Sequence, residues 1–314
     1  MSPLSALYGA VVRGRNVLYD AGVLRTRRLA GPVVSVGNLS VGGAGKTPFV
    51  ILLGEMLKQR GVAFDVLSRG YGRNTRGTRL VDPEGTAAEF GDEPLLIARK
   101  LRASVVVGES RHDAGALAEQ KFGPQLHLLD DGFQHRQLAR DFNIVLLSKE
   151  DLDDRLLPSG RLREPLESLK RADVLVVLEG LRDERLTRFG KPIWQVRRGL
   201  AVANAPSRAA AFCGIARPQV FFEQLRAAGV SVVMEKPYRD HHAYSAEDVR
   251  QLLTLAKQHG AGGFVTTEKD AVNLGGMLSE LGKVTIADVT MQIVDPPDAL
   301  DTVLCAITNA KRRT

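Results

Sequence analysis

Cysteine is scarce in this chain: Cys213 and Cys305 are the only two in 314 residues, too far apart to suggest a disulfide framework or a metal knuckle. A reducing compartment is expected, with both thiols buried. No run reaches the roughly 18 consecutive apolar residues that a membrane-spanning helix needs. The N-terminus lacks the charged start, apolar middle and cleavage site of a signal peptide, so a protein that neither crosses a bilayer nor is exported is expected. Aromatic residues make up only 5%, and no aromatic-rich basic strand is present to stack bases, which argues against a nucleic-acid binder. The absence of a guanine-reading Asn-Lys-x-Asp string argues against a GTPase switch. Low-complexity tracts and repeats are also missing.

What is present is an ordinary soluble composition, 44% apolar, enough for one large core or two moderate ones. Lys and Arg number 43 against 36 Asp and Glu, a net charge of +7. That excess favours a polyanionic partner: nucleic acid, anionic lipid or a phosphorylated substrate.

Ser40-Val41-Gly42-Gly43-Ala44-Gly45-Lys46-Thr47 is the most informative stretch. It follows the apolar run Val33 to Val36 and precedes a helix-like segment beginning at Pro48, with Val50, Leu52, Leu53, Met56 and Leu57 on one face and Gly61 at its end. Strand, glycine-rich turn and helix start together let backbone N–H groups wrap a nucleotide's phosphates, with Lys46 reaching the terminal ones and Thr47 holding Mg²⁺. Ser40 stands where the pattern wants glycine; a small residue still makes the turn.

Strand-like segments at residues 63–67, 104–107, 126–129, 143–147 and 173–178 alternate with helical stretches, which predicts a mostly parallel sheet covered by helices. Residues 199–208 lack periodicity and mark a boundary. Beyond them strands at 209–212, 230–234, 263–266 and 284–287 and helices at 218–228 and 247–259 form a second, smaller α/β unit. The expected organisation is thus an amphipathic helix over 1–28, a core over 29–205 and a smaller domain over 206–314. In the first segment Leu4, Leu7, Tyr8, Val11 and Leu18 share a stripe, interrupted by Arg15, with Arg13, Asn16 and Asp20 opposite and Arg25, Arg27 and Arg28 following. This pattern suits either a helix lying on an anionic membrane surface or one packed on its own domain.

Leu126 to Leu129 ends in Asp130 and Asp131, hard oxygen ligands suited to Mg²⁺ beside bound phosphates, and Gln134 and His135 follow at the same edge. Arg69 and Arg73 in Ser68-Arg69-Gly70-Tyr71-Gly72-Arg73 can hold phosphate oxygens bidentately. Gly91-Asp92-Glu93-Pro94 reads locally as a helix start capped by Asp92. Asp240-His241-His242 is either a surface loop or a His–carboxylate pair able to activate a hydroxyl, but not a zinc site. Thr266 to Asp270, at a strand end, either faces the same cleft or forms a turn with an internal ion pair.

Taken in order, SVGNLSVGGAGKTP, SRGYGR, GDEP, LLDDGFQH, LPSGRLREP, CGIARP, DHHAY and TTEKD resemble the tetraacyldisaccharide 4'-kinases of Gram-negative bacteria across nearly the whole chain. The resemblance implies a P-loop kinase core with a smaller α/β domain. It also implies ATP-dependent transfer of the γ-phosphoryl to the 4' hydroxyl of a tetraacyldisaccharide 1-phosphate, giving lipid IVA, with Mg²⁺ as cofactor. Asp92 would be the base and His241 its partner, which displaces the cap reading of Asp92. Lys46 and Thr47 would serve phosphate and metal, and Asp130 and Asp131 metal or metal-bound water. Arg69, Arg111, His135, Arg163 and Glu164 would line the cleft and contact substrate or the transition state. The implied location is peripheral, on the cytoplasmic face of the inner membrane, with no obligate protein partner. Ser148 departs from the pattern, since an acidic residue is the commoner expectation at that strand end. A nucleotide-hydrolysing switch remains the competing function.

Overall fold

The computed structural model describes residues 3–311; the outermost positions of the first and last expected segments, 1–2 and 312–314, lie outside them. In chain order the first unit contains α1 (Pro3–Asp20), β1 (Val33–Asn38), α2 (Lys46–Gln59), β2 (Phe64–Ser68), β3 (Arg79–Leu80), α3 (Ala87–Phe90) and α4 (Asp92–Leu101). It continues through β4 (Ser104–Val107), α5 (Arg111–Phe122), β5 (Leu126–Asp130), β6 (Phe142–Leu147), β7 (Val174–Leu178), α6 (Glu184–Thr187) and β8 (Ile193–Ala201). There follow β9 (Ala209–Cys213), α7 (Pro218–Ala227), β10 (Val232–Pro237), α8 (Ala246–Gln258), β11 (Gly263–Thr267), α9 (Glu268–Leu274), β12 (Val284–Asp295) and α10 (Ala299–Lys311).

One continuous sheet runs β10-β9-β11-β12-β8-β7-β6-β1-β5-β2-β4-β3. Pairing is parallel except for β12 with β8 and β3 with β4. The central strands are apolar on both faces, as parallel strands covered on two sides must be. Along β6, Ile144 and Leu146 join the layer formed by α2, α4 and α10, while Val145 and Leu147 face the opposite layer. This is a P-loop NTPase-like α/β fold, with the glycine-rich loop leading from β1 into α2. Around β9, α7 covers one face through Phe221, Phe222 and Leu225, and α8 covers the other through Val249 and Leu252.

Three elements, β8, β12 and α1, depart from expectation. Residues 199–201 are not a linker but the end of β8, and β12 extends to Asp295 where a strand ending at Ala287 was expected. The two pair antiparallel from Asp288 opposite Ala201 to Asp295 opposite Gln195. That ribbon carries the chain back to the first unit, where Ala299, Leu300, Val303 and Ile307 of α10 join the core against α2. Cys305 is exposed on the same helix, whereas Cys213 is buried as expected.

The third departure is in α1. Ser5, Gly9 and Val12 form its buried face: Ser5 Oγ donates to the Leu156 carbonyl at 3.0 Å, and an added Cβ at Gly9 would come within 2.8 Å of the Leu156 side chain. Tyr8 and Asn16 belong to this inward side, Tyr8 donating its hydroxyl to the Arg163 carbonyl and Asn16 its amide to Glu164. Leu4, Leu7, Val11 and Leu18 stay exposed, joined by Val17. Of the basic residues that follow, Arg27 and Arg28 are paired with Asp113 and Asp141. No helix of the described residues is long and apolar enough to cross a membrane.

Candidate active site

The carboxyl ends of β1, β2 and β5 converge on the glycine-rich loop, where ligands bind in open α/β sheets. Gly45 precedes α2 with φ of 83°, a left-handed conformation that a side chain would strain. Ser40 is tolerated in the glycine position because its φ is not positive; its backbone is held by Asn38, whose amide donates to the Ser40 carbonyl at 2.9 Å. The start of α2 has no side-chain cap and no acidic residue in its first turn. Its free N–H groups and dipole therefore form a ready anion site. Lys46 leads into it, with Nζ donating to Asn38 Oδ1 at 3.0 Å and lying 3.6 Å from Asp131. The second unit closes over this loop. Cβ atoms placed on Gly42 and Gly43 would lie 3.6 and 3.9 Å from Ala216, and one on Gly45 3.3 Å from Met291.

Asp131 has φ of 49°, which turns its carboxylate toward Arg163. Arg163 grips it bidentately at 2.8 and 2.9 Å and also donates to Asn38 Oδ1. Burial would raise the Asp131 pKa, but Lys46, Arg163 and Arg111 hold it well below the usual carboxylate range. Asp130 is the opposite case. Burial, Glu93 and Asp131 push it up to about 7, with Lys46 and a 3.0 Å hydrogen bond from Ser68 Oγ opposing. Its Oδ1 is buried without a partner.

Arg111, at the start of α5, is buried, and its pKa is pulled to about 10 by burial despite the charges of Asp131 and Asp130. His135 falls to about 4 through burial and through Arg111, Arg140 and Arg69, so its imidazole is neutral at pH 7. Arg69 is exposed at the end of β2. Glu164 is not brought to this cluster. Its fully buried carboxylate accepts from Arg171 at 2.6 Å and Asn16 at 2.8 Å, with Arg15 at 3.7 Å, so it ties α1 to the core rather than facing a substrate.

Asp92 opens α4 after Gly91, whose φ of 89° and close approach to the Tyr71 carbonyl leave no room for a Cβ. Asp92 is the first helical residue rather than the cap, which is Gly91, and of the helix N–H groups its carboxylate accepts only from the adjacent Glu93 at 2.8 Å, not from the second or third that a cap would hold. Its main partner comes from the other unit: His241 Nδ1 stands 2.9 and 3.0 Å from the two carboxylate oxygens. Asn273 adds a donor at 3.0 Å. Burial would raise the Asp92 pKa, but the bond from His241 and the charge of Lys269 leave it below the ordinary value. For His241 burial is the largest single influence and pulls down, with Lys269 adding to it, but the bond to Asp92 and the charges of Asp92 and Asp240 together outweigh them; the net shift is upward. His241 has φ of 57°, a strained conformation costing about 1–2 kcal/mol, and its ring lies 4.9 Å from that of Tyr71. Asp92 opens α4, which packs against α2, the helix that the phosphate loop leads into, and the neighbouring Glu93 is among the charges that raise the Asp130 pKa.

The sequence model of tetraacyldisaccharide-1-P 4'-kinase matches residues 1–308. The chain belongs to this 4'-kinase family. It is 49% identical to the tetraacyldisaccharide 4'-kinase of Koribacter versatilis, over 97% of this chain and 98% of that protein. It is 40% identical to that of Aquifex aeolicus, over 87% and 89%. A crystal structure described as an "apo" form of the Aquifex aeolicus kinase in complex with ATP superposes with a TM-score of 0.78 at 35% identity, covering 97% of this chain and 98% of that one.

Four residues of this candidate site are not singled out as site residues by the sequence: Asn38, Glu93, Lys269 and Asn273. Lys269 lies in the TTEKD string, where an internal ion pair and a cleft-facing turn read equally well. In the structure its ammonium faces Asp92, Glu93, Asp240 and His241.

Proposed function

We propose that this chain is the ATP-dependent kinase that phosphorylates the 4' hydroxyl of a tetraacyldisaccharide 1-phosphate in lipid A synthesis. The observation that carries this reading is the Asp92–His241 pair at the start of a helix that packs against the one whose uncapped N-terminus presents Lys46. Asp92, kept ionised, takes the hydroxyl proton. The alkoxide oxygen then forms its bond to the γ-phosphorus as the bond from that phosphorus to the β–γ bridging oxygen breaks. Lys46 and the loop N–H groups hold the β and γ phosphates, and Arg163 and Arg111 supply further positive charge.

The residues present fit Mg²⁺. Asp130 offers a buried oxygen without a partner, Asp131 follows it in the chain, Thr47 in the first turn of α2 is a further hard donor, and the phosphates would complete the shell. The ion would neutralise charge building on the transferred group. Release of Asp131 by Arg163 on nucleotide binding would free both partners for these tasks.

The outward apolar stripe of α1 supports a place at a membrane surface, where the acyl chains need not leave the bilayer fully. Purified protein with γ-labelled ATP, Mg²⁺ and tetraacyldisaccharide 1-phosphate in detergent micelles is expected to yield labelled lipid, and EDTA to abolish it. Label released only as inorganic phosphate would instead indicate a nucleotide-hydrolysing switch.

A further inference from the structure

The ammonium of Lys269, the second residue of α9, lies 3.2 Å from His241 Nε2 and 3.1 Å from Asp240 Oδ1. It is also 3.5 Å from Glu93 Oε1 and 3.8 Å from Asp92 Oδ2. An ammonium has three donors and no acceptor, so at Nε2 it can only donate. Nε2 must then present its lone pair, and the single ring proton belongs on Nδ1, where Asp92 accepts it. The same helix contributes Asn273, one turn further on, to the other side of Asp92.

We propose that Lys269 is a positioning residue that fixes His241 as the Nδ1–H tautomer and thereby holds Asp92 aimed at the acceptor hydroxyl. The inference rests on the reading of Asp92 as base. Three carboxylates, Asp92 and Glu93 from α4 and Asp240 from the loop before α8, converge on this one cation, while Tyr71 and Asn273 are neutral. Without Lys269 their mutual repulsion favours protonation in the group, and the Asp240 carboxylate, 3.9 Å from Nε2, is left to compete with Asp92 for the ring proton. His241 and Lys269 both belong to the second unit and Asp92 to the first. The base is therefore complete only where the two units meet.

The test compares Lys269→Met, which keeps the length and removes the charge, with Lys269→Arg and Asp92→Asn. Lys269→Met is expected to lower kcat on the order of tenfold or more with the KM for ATP unchanged within about twofold. In ¹⁵N-histidine spectra, with His241 assigned by its loss in His241→Gln, the wild type is expected to show the Nδ1–H form. The Met variant is expected to show a tautomer mixture that titrates about one pH unit or more higher. Lys269→Arg is expected to keep the titration near its wild-type position and recover part of kcat. Wild-type kcat and an unmoved His241 titration in Lys269→Met would overturn the inference. Should that variant not fold, an Arg variant whose His241 titration departs from wild type by a full unit would do the same. Asp92→Asn separates the two ideas. If it retains wild-type kcat, the base reading itself fails; if it loses kcat while Lys269→Met does not, only the role of Lys269 fails.

Discussion

Asp92 and His241 are 149 positions apart in the chain, and their side chains meet at 2.9 Å across the junction of the two units. A bond of this length between a buried carboxylate and an imidazole keeps the carboxylate ionised and oriented, which is what a base for a sugar hydroxyl requires. Asp92→Asn keeps the shape and removes the basicity. It is expected to lower kcat by roughly 10²- to 10⁴-fold while leaving ATP affinity, measured by calorimetry, within about twofold. Equal losses in both would place Asp92 in nucleotide binding instead.

The parts of this architecture that depend on local pattern were readable in advance. The loop from Ser40 to Thr47 declares itself through strand, glycines and helix start, and β5, β6 and β7 are apolar runs that only a doubly covered parallel sheet explains. β8 and the far half of β12 were not readable, because Arg197, Arg198, Thr290 and Gln292 interrupt any apolar alternation and the pair is specified by mutual register rather than by either segment. Glu164 shows the limit from the other direction. It adjoins Arg163 in a family string, yet its carboxylate points into a buried cluster that only the fold reveals. Lys269 was equally opaque, since all four of its charged or ring partners lie outside its own helix.

The exposed side of α1 tests the membrane reading without touching the core. Leu7 and Val11 are 63% and 64% exposed and contact no buried cluster, so Leu7→Asp with Val11→Asp is expected to leave the melting temperature within about 2 °C. Co-sedimentation with anionic vesicles is expected to fall at least about tenfold, from lost apolar insertion and added negative charge. Undiminished sedimentation would remove α1 from the membrane contact.

Glu164 distinguishes a tether from a substrate contact. Removing a buried carboxylate that serves Arg171, Asn16 and Arg15 leaves the largely buried Arg171 guanidinium without its counter-ion, and breaking a buried pair typically costs about 3–5 kcal/mol. Glu164→Ala is expected to show that loss in urea denaturation. A rise in the KM for lipid with unchanged stability would restore Glu164 to the substrate side.

A second buried ionic network, at the opposite end of β5 from Asp130, ties stability to pH. His127 Nδ1 lies 2.8 Å from Asp65 and Nε2 3.2 Å from Glu119, with the ring fully buried. Burial pulls the imidazole pKa down, but the bonds to Asp65 and Glu119 outweigh it and leave the value above 6.5. A group whose folded pKa exceeds its unfolded one contributes stability that is complete below the unfolded value, about 6.5, and is lost as pH rises through the folded value. His127→Gln leaves Asp65 buried without its cation and is expected to be less stable than wild type by about 3 kcal/mol below pH 6.5. Because only the wild type has this proton to lose, the gap between their urea midpoints is expected to narrow from pH 6.5 upward. A gap that stays constant or widens over that range would mean that His127 is neutral in the folded protein and that Asp65 is balanced in some other way.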